Sequence, residues 1–192
     1  MSQVNTLKKH LRPGQVYRRA ELAQWSNAVD RHLATLVAEG SLQKVSPGVY
    51  FYPKLSVFGK MPPEESRLIQ SFLKDDEFLV TTPNAYNALG VGTTQLYNKT
   101  TVYNHKRHGE FKLGNRTYEF QVKRRFPAML SKEFLLVDLV NNLDDLAENP
   151  VEVLKNVGAK VPVMDHKKLS VAVKRYGNIK TKKILSPMLN DN

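Results

Sequence analysis

Along the first third of the chain, apolar residues recur first at helical intervals and then in short runs, and this pattern predicts the elements there. Val4, Leu7 and Leu11 stand at helical spacing within residues 2–11, and Pro13-Gly14 closes that helix. Val16 and Tyr17 suit a short extended piece. Arg19–Gln24 reads as a second helix, with Leu22 and Ala23 inward and Trp25 at its end. Ser26 has the chemistry of an N-cap, so a further helix is predicted over Ser26–Glu39. Its Val29, Leu33, Leu36 and Val37 fall on one stripe, which turns Asn27, Asp30, Arg31, Ala34 and Thr35 outward. Gly40 stops it. Two apolar runs, Leu42–Val45 and Val49–Tyr52, flank Ser46-Pro47-Gly48 and predict a hairpin around a type II turn. Two short helices followed by a hairpin describe a winged helix-turn-helix, in which Ser26–Glu39 would enter a DNA major groove.

The pattern then changes. Residues 53–65 (PKLSVFGKMPPEE) are rich in Pro and Gly and lack periodicity, so the domain boundary is expected there, between a first domain over 1–54 and a second over 60–192. Pro63 opens a helix buried through Leu68, Ile69, Phe72 and Leu73. A strand is expected at Phe78–Val80, and a helix from Thr82-Pro83 through Leu89. Thr100–Tyr103, Phe111–Leu113 and the alternating Thr117–Arg124 read as strands, the last two joined at Gly114-Asn115. Helices follow at Lys132–Leu143, at Pro150–Val157 (stopped by Gly158), from Asp165 to Tyr176 and near Thr181–Leu189. The fold class is therefore α+β: an N-terminal winged helix-turn-helix followed by a mixed α+β C-terminal domain.

Charge sharpens this picture. The 192 residues carry 29 Lys+Arg against 18 Asp+Glu, a formal net charge of +11. Residues 1–54 hold eight basic and three acidic residues, 55–130 eleven and seven, and 131–192 ten and eight. The first segment is the most basic for its length, which favours a polyanionic partner. No cysteine is present, which excludes disulfides, thiolate metal sites and cysteine nucleophiles. No apolar run approaches a membrane span and the N-terminus is polar and basic, so a cytoplasmic protein without a membrane partner is expected.

Catalytic motifs are missing: the sequence has no glycine-rich phosphate loop, zinc-protease helix or nucleophile elbow. Neither catalytic residues nor a metal or cofactor is expected. Asp75, Asp76 and Glu77 read as a polar helix end, and His105 and His108 share a basic turn. The candidate DNA-binding residues are more specific. Arg31, Asn27 and Thr35 form the reading face, since arginine forks onto guanine and asparagine onto adenine. Ser26 at the helix start, Arg18 and Arg19 before the shorter helix, and Lys44 on the wing are expected at phosphates. A second basic patch is expected from Lys106, Arg107, Arg116, Lys123, Arg124 and Arg125. Lys180, Lys182 and Lys183 read as helix surface.

The segment SLQKVSPGVYFYPKLSVFGKMPPEES resembles the wing and linker of the AbiEi-like antitoxins of type IV bacterial toxin–antitoxin pairs. VTTPNAYNALGVGTTQ, with Thr93-Thr94-Gln95 and the hairpin and helices after it, is similar to that family's second domain. The resemblance implies an N-terminal domain that binds inverted repeats in double-stranded operator DNA and represses its own operon. It implies a C-terminal domain that neutralises a nucleotidyltransferase-like toxin, usually without a tight complex. Arg18, Arg19, Asn27, Arg31 and Lys44 map onto the DNA-reading module. Three other readings stay open: a repressor with no toxin gene beside it, a protein-docking module and an enzyme.

Overall fold

The computed structural model describes residues 3–190 and is a mixed α+β protein. Its contacts divide the chain into two compact units, one of residues up to Asp76 with Glu110–Tyr118, the other of Glu77–Gly109 with residues from Glu119 onward. This division does not coincide with the expected one at 55–59. The physical reason is α4 (Glu65–Leu73), which packs against β1 (Val16–Arg18) within the first unit.

The first unit opens with α1 (Gln3–His10); Ser2 of the expected first helix lies outside the described residues. After β1 come α2 (Arg19–Ala23) and α3 (Val29–Ala38), then β2 (Gln43–Ser46) and β3 (Val49–Phe51). The strands form a sheet in the order β1-β3-β2, antiparallel throughout, with Tyr17 opposite Tyr50 and Gln43 opposite Phe51. Gly48 holds φ +72° in the turn, a value proline-glycine supplies at the third position of a type II turn and other residues resist. A bulge between Lys44 and Ser46 shifts the register of β2. Leu7, Leu11, Leu22, Val29, Leu33, Leu36, Leu42 and Tyr50 form the core beneath the helices. Of the predicted stripe of α3, Val29, Leu33 and Leu36 are buried and Val37 is half-buried at its edge, with His32 added to the buried side.

The stretch expected to be irregular contains its own ribbon, β4 (Leu55–Ser56) paired with β5 (Gly59–Lys60). Ser56 closes it from both sides: its Oγ accepts from the Phe58 N–H and donates to the Gly59 carbonyl. Two-residue strands are too short for alternation to reveal them. The β8 (Gly109–Leu113) to β9 (Arg116–Val122) hairpin turns at Gly114-Asn115, with Gly114 at φ +64°. Gly114 N–H donates to the Val45 carbonyl at 2.7 Å, and Phe111 packs on Phe72.

In the second unit β6 (Phe78–Thr81) runs antiparallel to β7 (Thr101–Asn104), and β7 runs parallel to the second half of β9. A 3-10 helix over Pro83–Leu89 is capped by the Thr82 hydroxyl and ends at Gly90 in the left-handed region. At the centre lies α5 (Lys132–Asn141), in which every residue from Phe134 to Val140 is buried. A helix apolar on all sides must be surrounded, and α7 (His166–Tyr176), α8 (Ile179–Asn190) and the 3-10 helix do this. Asp165 caps α7 as expected, accepting from Lys168 N–H. Gly158 does not stop α6, which runs over Pro150–Lys160. One interior glycine costs about 1 kcal/mol against alanine, whereas Val153 and Val157 are buried on the face that continues through it.

Candidate nucleic-acid interface

The outer side of α3 is open. Asp30, Arg31 and Ala34 are exposed and Thr35 is half-buried, while Val29, His32, Leu33 and Leu36 are buried opposite them. The helix begins three residues later than expected. Its N-cap is Ala28, at φ −131° and ψ 49°, with no side-chain cap. Ser26 is occupied elsewhere: its Oγ lies 2.7 Å from Nδ1 of His32 and accepts from Ala28 N–H at 3.3 Å. Ser26 therefore fastens the turn to a histidine that is only 3 % exposed, and its hydroxyl does not face a phosphate. Asn27 sits exposed on this turn, ahead of the helix.

His32 was the residue that sequence reasoning missed. The signal was available: it lies three after Val29 and four before Leu36, on the edge of the apolar stripe.

Two expected phosphate contacts are committed internally. Arg19 forks onto Asp30, with Nε to Oδ1 at 2.6 Å. Hydrogen bonding to Arg19 holds the Asp30 carboxyl below its ordinary range, and the same bond raises the guanidinium. Arg18 binds Glu21 three residues on, guanidinium to carboxylate at 2.6 Å, while its own N–H donates to the other carboxylate oxygen at 2.8 Å. These pairs brace α2 against β1 and against α3. Asp30 thus faces Arg19 and leaves Arg31 alone.

Thr35 is also partly used, since Oγ1 donates to the Arg31 carbonyl at 3.0 Å and keeps only acceptor capacity. Lys8 donates to the Ser41 hydroxyl, and Lys60 caps the C-terminus of α3 by donating to the Gly40 carbonyl at 2.6 Å. Arg31, on the outer side of α3, and Lys44, on β2, remain exposed and make no ion pair with a described carboxylate. Lys44 lines a groove of about 600 Å³ with Lys60 and Arg116.

The expected second patch does not assemble as one surface. Arg116 belongs to the first unit, where it pairs with Glu65 at 3.3 Å beside the Tyr118 hydroxyl, which donates to the same oxygen at 3.0 Å. Lys106 and Arg107 lie in the turn after β7, their N–H groups donating to the buried Asn104 Oδ1. Neighbouring His105 stacks on Phe126. Lys123, Arg124 and Arg125, just past β9, line a cleft with Lys174, Arg175 and Lys182. Lys182, expected as plain helix surface, thus borders a cleft together with two cations from the end of α7. Asp144 takes Lys180 in an ion pair at 2.6 Å.

Beneath that cleft lies a buried polar network. Asp138 is 2 % exposed and accepts hydroxyl protons from Tyr86 at 2.7 Å and Tyr103 at 2.9 Å. Asn142 Nδ2 donates to both hydroxyls and to the Asp138 carbonyl. Burial pushes the Asp138 carboxyl up, against the opposing effect of the two tyrosines, Lys123 and Asn142. Burial and the adjacent carboxylate likewise push both phenols up. Among the described residues no three His, Asp or Glu gather at metal-binding distance, and no helix is long and apolar enough to cross a membrane.

No family model matches this chain, and no curated protein does. Among solved structures, the crystal structure of the RV2827C protein from Mycobacterium tuberculosis aligns with 97 % of this chain and 74 % of its own, at a TM-score of 0.58 and 14 % identity. At that identity the likeness is one of fold: this chain folds like the mycobacterial protein across almost its whole described length.

Proposed function

We propose that the first unit is a winged helix-turn-helix that binds double-stranded DNA through the open side of α3, and that the protein is a repressor of its own operon serving as the antitoxin of a type IV pair. The observation that carries this reading is the outer side of α3, where Arg31 stands exposed and unpaired beside the small Ala34, while the opposite side of the helix is buried in the core. A recognition helix needs just such a bare side with a forked donor and little bulk around it. Asn27, on the turn ahead of the helix, approaches bases or backbone from the N-terminal end, and Lys44 on the hairpin meets phosphates. Arg18 acts as a brace between β1 and α2, and Arg19 as one between α2 and α3. Ser26 shares that work through His32.

The antitoxin role follows from the resemblance at the wing and at Thr93-Thr94-Gln95, with the second unit acting against a nucleotidyltransferase-like toxin. The same resemblance accommodates a repressor acting alone. Titration of operator and unrelated duplexes at fixed salt tests the DNA reading. Arg31→Ala should relax sequence preference by about 1–3 kcal/mol at one position. Lys44→Ala should weaken all duplexes alike and reduce the salt slope by about 1. Unchanged preference in Arg31→Ala would assign the reading surface elsewhere, and no salt-dependent binding at all would leave a protein-docking module. Co-expression with the neighbouring gene product, scored by rescue of growth, separates an antitoxin from a plain repressor.

A further inference from the structure

We infer that the cleft between the end of β9 and helices α7 and α8 binds a compact oligophosphate, a small molecule carrying two or more phosphate groups. All its lining residues lie in the second unit, so this inference does not depend on the reading of α3.

Six cations border a cleft of about 390 Å³: Lys123, Arg124 and Arg125 from the chain after β9, Lys174 and Arg175 from the last turn of α7, and Lys182 from α8. None of them makes an ion pair with a described carboxylate. Elsewhere cations have found partners: Arg18, Arg19, Lys99, Arg116 and Lys180 all pair with carboxylates. The cleft has one acidic group, Asp138, and its carboxylate is engaged from below by Tyr86 and Tyr103. Burial raises that carboxyl, against the opposing effect of the two tyrosines, Lys123 and Asn142.

Uncompensated like charges within a Debye length of about 8–10 Å repel one another. Such a group is stable in a fold when an anion occupies it or when solvent screens it. Two of the cations are held in place by rings, Lys123 over Tyr103 at 5.0 Å and Arg175 over Tyr176 at 5.7 Å. At the carbonyl end of α7, an ordinary rival for these donors, two oxygens are already served: Tyr176 O accepts from Asn141 Nδ2, and Val173 O accepts from Gly177 N–H. The cations are therefore available outward.

Size and charge set the ligand class. The volume falls in the range of small-molecule pockets, about 300–1,000 Å³. A single carboxylate or phosphate would leave most of six cations unanswered, whereas di- and triphosphates carry three or four negative charges within that space. A nucleic-acid strand spreads its phosphates along a line, but here cations from three elements converge on one cleft. Arginine's planar fork suits phosphate oxygens, and lysine adds point charge.

The test is calorimetric titration of the full chain with inorganic triphosphate at low ionic strength. One saturable site is expected, at least tenfold tighter than orthophosphate. Arg124→Ala and Lys182→Ala should each weaken it about tenfold, while Lys183→Ala, exposed on α8 outside the cleft, should leave it unchanged. These side chains are exposed, so thermal melting should stay near that of the parent chain. An arm with ATP distinguishes sources of the same chemistry: equal affinity means that only the phosphates are read, and tighter binding adds a nucleoside. The absence of saturable triphosphate binding, or equal binding by all variants, overturns the inference. So does a single-stranded oligonucleotide that requires Arg124 and Lys182 and is not displaced by triphosphate, since the cleft is then part of a nucleic-acid track.

Discussion

The side of α3 and the cleft of the second unit handle positive charge in opposite ways. Around α3 the cations are mostly committed to the fold itself. Arg18 braces Glu21, Arg19 braces Asp30, Lys8 holds Ser41 and Lys60 caps Gly40, which leaves Arg31 and Lys44 outward. In the cleft six cations converge above the single buried carboxylate of Asp138, and none of them forms an ion pair with a described carboxylate. By formal count residues 1–54 were the most basic stretch for their length and 131–192 nearly balanced. Formal charge measures what a chain carries, and the difference between these regions lies in what its pairing leaves available.

The contrast can be broken most severely at Asp138, the acid under the cleft. Asp138→Ala removes the acceptor of two buried phenols and should cost about 3 kcal/mol, read as a lowered midpoint in urea. The pH dependence has a defined sign. Because burial raises this carboxyl, the unfolded chain releases the proton first, so stability is greatest below the ordinary carboxylate range. It falls as pH climbs toward the raised folded value. Asp138→Asn should flatten that decline; an unaltered slope would mean that folding does not raise the Asp138 carboxyl.

A smaller effect is expected in the first unit. His32→Ala opens a cavity under α3 and releases the Ser26 hydroxyl, for about 2 kcal/mol in the same assay. If the turn is then free, the Ala28 N–H, which donates to Ser26 Oγ, should lose protection in hydrogen exchange before the core does. Smallest is Asp30→Asn, which releases Arg19 from its partner. If committed charge is the reason Arg19 is silent, duplex affinity should rise several-fold at low salt, with a salt slope steeper by about 0.9. Unchanged affinity would show that Arg19 lies off the DNA path.

Much of the fold was legible where local chemistry decides. The stripe of α3, the Pro47-Gly48 turn, the Asp165 cap and the Gly114-Asn115 hairpin each rest on a few neighbouring residues. Reading failed where a distant partner outbid a local one. Ser26 has every property of an N-cap, yet His32 holds its hydroxyl and moves the helix start to Val29. Gly158 looks like a stop, but buried valines carry α6 through it. The proposed reading side was visible from periodicity, while the availability of Arg18, Arg19 and Arg116 was not, because their partners Glu21, Asp30 and Glu65 are chosen in three dimensions. The cleft was half legible: Lys123-Arg124-Arg125 stood out as a run, but nothing local links it to Lys174, Arg175 and Lys182, some fifty residues later.

The first unit is discontinuous: its last stretch, Glu110–Tyr118, arrives only after the chain has visited the second. On a ribosome, which delivers the N-terminus first, the opening helices wait for a strand hairpin that begins 36 residues after the end of α4. Cutting the gene just after Asp76 would therefore yield a fragment that keeps α4 but lacks the β8–β9 hairpin that completes its packing. Such a fragment should express poorly, and swapping the N-terminal piece onto another protein should succeed only when the hairpin travels with it.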